Sequence, residues 1–249
     1  MATSQKPVKI TFNVWTPLKE QLDSKTDAAC LRRDAYLAKV LEGELEFLDQ
    51  EVSIPNSEAA FDYVQREFSK LQRESMSLAL PPLLAQRLKD ICNRKRIYRD
   101  AFLNRLLLLL VAAPKTIDAL LFHEYEGDWR TDLWKHHQRE GSVDTRGFVP
   151  LVTTFDPFWA FREALALFFK DETTYDWMEP SSGQSVRVRR EFVDSALEPL
   201  VSLYTLVFTQ KAGGNSLLGL SCYLPDRRIP GSSAASEHQA KLDEMFFTL

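Results

Sequence analysis

The chain has 249 residues, 45% of them hydrophobic and 27% charged, with a formal net charge of −4. That is enough for one large or two modest packed domains, and 28 aromatic residues (5 Trp, 7 Tyr, 16 Phe) exclude a largely disordered chain. The longest apolar run, Leu106 to Ala113, is far below the roughly 18 residues of a membrane span, no secretory leader is visible, and Cys30, Cys92 and Cys222 match neither a disulfide framework nor a zinc site.

Charge and glycine are both unevenly spread. Residues 1–113 carry 17 Lys/Arg against 15 Asp/Glu, while residues 114–249 carry 14 against 20. Within 75–113, Arg87, Lys89, Arg94, Lys95, Arg96, Arg99 and Arg105 face only Asp90 and Asp100, a local balance of +5 on an acidic protein. Only Gly43 precedes Gly127, so the first half reads as mostly helical and the second as mixed and turn-rich. The boundary is placed near Ala113-Pro114, with a separate aromatic core expected behind it.

The first element is a strand. Val8, Ile10, Phe12 and Val14 are apolar, and Lys9, Thr11 and Asn13 between them are polar. Period two means one buried and one free face. Thr16 is an expected N-cap with Pro17 at the first helical position, and Leu18 and Leu22 mark the inner face of that helix. A polar turn at Thr26-Asp27 leads to a second helix carrying Leu37, Val40, Leu41 and Leu45. The connector, 46–73, holds an amphipathic helix from Glu58 to Gln72, with Phe61, Val64, Phe68 and Leu71 on one side.

The same order then returns. Shifted by 66 residues, Lys9–Leu41 lies over Ser75–Leu107 without a gap. Arg33-Asp34-Ala35-Tyr36-Leu37 falls on Arg99-Asp100-Ala101-Phe102-Leu103, and Leu22 on Leu88. Met76, Leu78 and Leu80 alternate with Ser75, Ser77 and Ala79, Pro81-Pro82 follows, and Leu84, Leu88 and Ile91 mark the next helix. A turn at Asn93-Arg94 precedes the last helix, Phe102 through Val111. Its Leu106–Leu110 run is apolar all round and is expected to be buried on several sides.

Residues 114–249 read as a mixed α/β region for oligomerisation or partner binding. Expected there are a strand at Phe148–Phe155 and a helix capped by Asp156 with Pro157, Phe158, Phe161, Leu165 and Phe168. A basic-faced strand follows at Gln184–Arg190, then a hairpin joining Leu200–Thr209 to Leu217–Leu224 with Cys222 in its strand. A linker at Ser232–Ser236 leads to a terminal helix, Glu237–Phe247. His123, His136 and His137 near Asp128 and Asp132 match no metal spacing. No phosphate-cradling loop or nucleophile elbow occurs, so the chain reads as a non-enzyme with no metal and no cofactor.

Strand, helix, helix in about 40 residues, twice, resembles the ribbon-helix-helix family of DNA-binding proteins. The resemblance covers units at about 7–48 and 73–113, and it rests on the alternating strands and the Arg33-Asp34 and Arg99-Asp100 blocks. It departs from the family where a glycine often separates the two helices, and in the weak polar face of strand two, where Ala79 stands opposite Asn13. It implies an α+β fold in which the two units form a pseudo-dimer within 1–113. A two-stranded ribbon fits the major groove of DNA. The resemblance then gives Lys9, Thr11, Asn13, Ser75 and Ser77 base edges to read, and gives Arg32, Arg33, Arg94, Lys95, Arg96 and Arg99 phosphates to hold. Arg33 and Arg99 could instead pair with Asp34 and Asp100.

The leading expectation is a cytoplasmic, sequence-specific binder of double-stranded DNA, a transcriptional regulator of a bacterial or mobile-element locus. A DNA-processing accessory protein of conjugation or partition is the alternative. A third reading is an assembly subunit that uses the fold only to hold proteins together. No membrane contact is expected, and a homo-oligomer or protein partner would act through 114–249.

Overall fold

A computed structural model describes residues 6–52, 55–111, 157–158, 174–178, 185–189, 204, 221–226 and 229–247. The chain is α+β. In the first half its elements are β1 (Val8–Trp15), α1 (Thr16–Ala28), α2 (Arg33–Glu51), α3 (Glu58–Ser69), β2 (Arg73–Leu80), α4 (Pro82–Lys95) and α5 (Arg99–Val111). β1 and β2 pair antiparallel within the one chain, Val8 facing Leu80 and Trp15 facing Arg73. The alternation seen in the sequence becomes the inner face of this ribbon. Phe12, Val14, Met76, Leu78 and Leu80 are all buried, Ile10 is half-buried, and Val8 at the open end is exposed.

The register carries a hidden symmetry. Thr11 faces Ser77, its own counterpart at the 66-residue offset, and Ile10–Leu78 is exchanged with Phe12–Met76. A pseudo-two-fold axis therefore passes between Thr11 and Ser77. Below it the core is built from matched pairs: Phe12 and Leu78, Leu37 and Leu103, Leu41 and Leu107. They surround a void of about 10 Å³, too small to shelter an ordered water.

Both helix-to-helix turns fall later than the sequence suggests. Thr26 and Asp27 lie inside α1, where Thr26 is buried and donates its hydroxyl to Leu22 O at 2.8 Å. Asn93 and Arg94 lie inside α4. The turns instead pivot on Cys30 (φ 54°) and Arg96 (φ 48°), the two non-glycine residues with left-handed backbone among those described. These positions are 66 apart and do the work of the missing glycines. Thr16 is not an N-cap either. Helix α1 starts on it directly from the strand, and its amide and hydroxyl both donate to Gln72 O.

Helix α3 is capped by Ser57, whose hydroxyl accepts from Ala60 N at 3.0 Å. It ends at Ser69 rather than Gln72, because β2 begins at Arg73. Its Phe68 and Phe61 meet the edge of Tyr98 at 5.7 and 5.9 Å. Helix α5 is buried from Asp100 to Val111, including the Leu106–Leu110 run that is apolar all round. Phe158, Tyr204 and Cys222 join this first-half core rather than a core of their own. Tyr204 packs on Phe102 and donates its hydroxyl to Glu44 Oε2 at 2.7 Å. Asn56 anchors the connector from its own amide to Lys95 O, from its side chain to Arg96 O and Cys222 O, and by accepting from Leu224 N.

In the second half, β4 (Ser185–Arg189) falls within the strand expected at Gln184–Arg190 and pairs antiparallel with an unforeseen β3 (Thr174–Met178). Pro157 and Phe158 lie in a turn, and Ser221–Asp226 are not strand, so Cys222 sits in a bend. The last helix, α6 (Ser233–Phe247), takes in most of the expected linker. Ser232 caps it by accepting from Ala235 N at 3.1 Å, and alanines at 234 and 235 favour helix. The strand expected at 148–155, the helix residues beyond Phe158, the arms of the 200–224 hairpin other than those named, and the histidines at 123, 136 and 137 lie outside the described residues.

Candidate nucleic-acid interface

Because side chains alternate along a strand, the register fixes which residues share the outer face of the ribbon. Cross-strand pairs run Lys9–Ala79, Thr11–Ser77, Asn13–Ser75 and Trp15–Arg73. Lys9, Thr11, Asn13, Ser75 and Ser77 are all exposed, so the five residues expected to meet bases share one open face. The Thr11 and Ser77 hydroxyls lie 3.4 Å apart on the pseudo-axis. None of the eight strand residues on this face is acidic. Arg73 extends it at one end and Lys9 stands towards the other, so cations bracket a polar centre. The alternation counted from Ser75 on strand two and up to Val14 on strand one leaves out Arg73 and Trp15. One more step of the same period on each strand reaches them.

The edges of the ribbon are clamped by the helix N-termini. Asp34 at the start of α2 accepts the amide of Ala79 at 3.0 Å, and Asp100 at the start of α5 accepts the amide of Asn13 at 3.0 Å. Arg33 donates to Ser77 O at 3.2 Å, and Arg99 to Thr11 O at 2.8 Å. All four partners correspond at the 66-residue offset. The Arg-Asp block repeated in the sequence is therefore a device that satisfies the exposed edge of each strand, whose amides and carbonyls would otherwise be open to a further strand.

This revises the expected roles of the two arginines. Arg33 also pairs with Asp23 at 3.2 Å and with Asp34, and Arg99 pairs with Asp100 at 2.9 Å. Their first partners are within the fold, the alternative open in the sequence. Lys95 departs further from its expected place on a phosphate. It is buried, and its ammonium donates to Asp49 O at 2.9 Å and Val52 O at 2.6 Å and pairs with the Asp49 carboxylate at 3.1 Å. It caps the C-terminus of α2, where the carbonyls lack helical partners. Arg94 pairs with Asp49 at 2.7 Å from an exposed position. Burial raises the Asp49 carboxyl, but hydrogen bonds and charge from Lys95 and Arg94 outweigh it and hold the group below its ordinary value. Arg32, at the N-cap of α2, and Arg96, at the turn into α5, are exposed.

Strand one is held more tightly than strand two. Asn104 accepts from Trp15 N at 2.8 Å and donates to Asn13 O at 2.8 Å. The counterpart of Trp15 is Pro81, which has no amide hydrogen, and the counterpart of Asn104 is Ala38. The Asn13 side chain itself donates to Asp100 Oδ2 at 3.2 Å. Thus the strand bearing Lys9 and Asn13 is braced by three side chains, Arg99, Asp100 and Asn104.

Other chemistry finds little support among the described residues. Burial pushes the Cys92 and Cys222 thiols up to about 12, so both stay protonated near neutral pH and are poor nucleophiles. No group of acids, histidines and cysteines able to hold a metal ion occurs among these residues, and none of their helices is long and apolar enough to cross a membrane. Comparison of the chain with protein-family models, with curated proteins and with solved structures found no match.

Proposed function

We propose that this protein binds double-stranded DNA sequence-specifically, laying the β1–β2 ribbon in the major groove as a tandem ribbon-helix-helix pseudo-dimer made by one chain. The observation that carries the reading is the outer face of the ribbon. It is exposed, none of its strand residues is acidic, and it is lined by residues that hydrogen-bond to bases: Lys9, Thr11 and Asn13 from β1, Ser75 and Ser77 from β2. Lys donates to guanine O6 and N7, Asn matches adenine N6 and N7, and the hydroxyls can serve either way. Arg32 and Arg96 are exposed cations available to phosphates, with Arg33, Arg73, Arg94 and Arg99 contributing beside their internal partners. The role that follows is regulation of transcription at a bacterial or mobile-element locus, in the cytoplasm and without an enzymatic step. A DNA-processing accessory role would use the same face, and the residues beyond 113 would supply assembly with a partner or a second copy.

Selection of duplexes from a random pool by the full chain, followed by sequencing, tests this directly. Lys9→Ala and Asn13→Ala should each cost about 1–3 kcal/mol at the selected site and much less on random duplex. Unchanged site preference in both variants would remove the ribbon as the reading element. Failure of the wild type to enrich any sequence, with no binding to random duplex at physiological salt, would favour the assembly reading, to which the bland Ala79 and serine face of β2 already lends some weight.

A further inference from the structure

We infer that Asp100 is a specificity-positioning residue: it fixes the amide of Asn13 in the orientation that reads adenine, and Asp34, its counterpart, has no such task. The inference rests on the DNA reading above. Asp100 Oδ2 accepts from both the backbone amide and the side-chain Nδ2 of Asn13, at 3.0 and 3.2 Å. Its other oxygen accepts from Arg99 Nε at 3.2 Å and from a terminal Arg99 nitrogen at 2.9 Å. Asp100 is itself only 5% exposed, so its position is set by packing on all sides.

A carboxylate offers acceptors and no donor. The Asn13 amide must therefore turn its NH2 group towards Asp100, since the opposite orientation would set two oxygens against each other. One N–H is spent on Asp100. The other N–H and the carbonyl Oδ1 are left together for an outside partner. That remaining pair, one acceptor beside one donor, is the complement of adenine N6 and N7 in the major groove. The orientation is in place before DNA arrives, so binding need not select one of two amide states.

The repeat supplies an internal control. Asp34 makes the equivalent backbone bond, to Ala79 N at 3.0 Å, and the equivalent arginine contact, Arg33 Nε at 3.1 Å. Its strand partner is alanine, with no side-chain amide to orient. Asp34→Asn and Asp100→Asn both weaken a clamp on a strand edge, and only Asp100→Asn changes a reading group. An asparagine at 100 can turn either an oxygen or an NH2 group towards Asn13, so the fixed orientation is lost.

The test compares wild type, Asp34→Asn, Asp100→Asn and Asn13→Ala, all as full chains. Each is measured on the wild type's selected duplex, on a set differing from it by single base pairs, and on random duplex. Asn13→Ala locates the base pair that Asn13 reads. At that pair, Asp100→Asn should lower the preference for A·T over the other pairs about tenfold, within the range set by one bidentate contact. Asp34→Asn should leave that ratio unchanged, and random-duplex binding should be alike for both. An unchanged ratio in Asp100→Asn, or an equal loss in Asp34→Asn, would overturn the inference while leaving the DNA reading intact. A wild type with no sequence preference would overturn both. Should Asp100→Asn fail to fold, the side-chain amide protons of Asn13 in the wild type decide the matter by NMR. One proton hydrogen-bonded and slow to exchange supports the inference, and two fast, equivalent exchangers refute it.

Discussion

The two strand-helix-helix units share four features of backbone and differ in many of the polar side chains around them. Counted at the 66-residue offset, Cys30 and Arg96 take the same left-handed turn, Asp34 and Asp100 accept the same amide, and Arg33 and Arg99 donate to the same carbonyl. The fourth is the central Thr11–Ser77 pair, which the pseudo-axis maps onto itself. Contacts that terminate on backbone do not depend on what the neighbouring side chain is, so they can outlast sequence divergence wherever the donor or acceptor side chain is kept. Where it is not kept, the units differ. Arg33 has a second partner in Asp23 where unit two has Lys89, and Asn104 braces the backbone of strand one where unit one has Ala38. Glu44, buried and bonded to Tyr204, stands where unit two has Leu110. The result is an even frame with one strand braced more heavily than the other.

The largest expected effect tests whether the two units share one core. Phe12 is 3% exposed and lies against Leu78, Leu103 and Leu107 of the other unit around the central void. Phe12→Asp would bury an uncompensated charge at the axis, costing on the order of 5 kcal/mol, a large share of the ~5–15 kcal/mol that folded domains have. Thermal unfolding should show both units lost in one transition. Thr11→Asp, on the opposite face of the same strand, should leave that transition in place while repelling DNA. Independent melting of the two units in Phe12→Asp would show that the core is divided rather than shared.

A smaller effect separates the units by their caps. Lys95 closes α2 from unit two, whereas its counterpart Ala29 offers α5 nothing comparable. Lys95→Met keeps the buried stem and removes the donor, leaving Asp49 O and Val52 O without that partner. The expected loss is about 1–3 kcal/mol in denaturant unfolding, with no change in the salt dependence of DNA binding. A flattened salt slope at undiminished stability would restore Lys95 to the phosphate contacts. The same variant has a pH signature. The depressed Asp49 carboxyl contributes stability that is present above its unfolded value and lost as pH falls through the folded one. Removing Lys95 should shrink that acid-side loss.

How much of this the sequence discloses depends on what each signal encodes. The period-two strands encode burial, and Phe12, Met76 and Leu78 lie where that period puts them. The 66-residue offset encodes backbone equivalence, and it is matched at the turns and clamps. The Arg-Asp block was visible as a repeat but not as an edge clamp, because a strand edge exists only once two distant strands have paired. Lys95 misled for a related reason. In the sequence it is one of three consecutive cations, and only the packing of α2 against α4 puts its ammonium on carbonyls and its neighbours in solvent. The turns lie two to four residues beyond Thr26-Asp27 and Asn93-Arg94, because Thr26 and Asn93 favour turns locally and helical hydrogen bonding outweighs that preference.

The smallest expected effect compares the two turns themselves. A non-glycine residue in left-handed backbone costs about 1–2 kcal/mol, and glycine gives back about 0.5–1 kcal/mol of that through its freer unfolded state. Cys30→Gly and Arg96→Gly should therefore each stabilise the chain by a few tenths to about 1 kcal/mol, or roughly 2–4 °C in Tm at most. Equal shifts would establish that the turns are equivalent in energy as well as in geometry. Their effects on DNA should differ. Cys30 brings no charge to the groove, so its variant should leave the salt dependence as it is. Arg96 is exposed in the turn between α4 and α5, three residues before Arg99. If it holds a phosphate, Arg96→Gly should lower the log–log salt slope by about 0.9 even as the protein becomes more stable. Opposite signs for stability and salt slope in one variant, and stability alone in the other, would separate the supporting role of the turn from its contact with DNA. Destabilisation by Arg96→Gly with none by Cys30→Gly would instead show that the second turn has come to depend on its side chain, as the braces of strand one have.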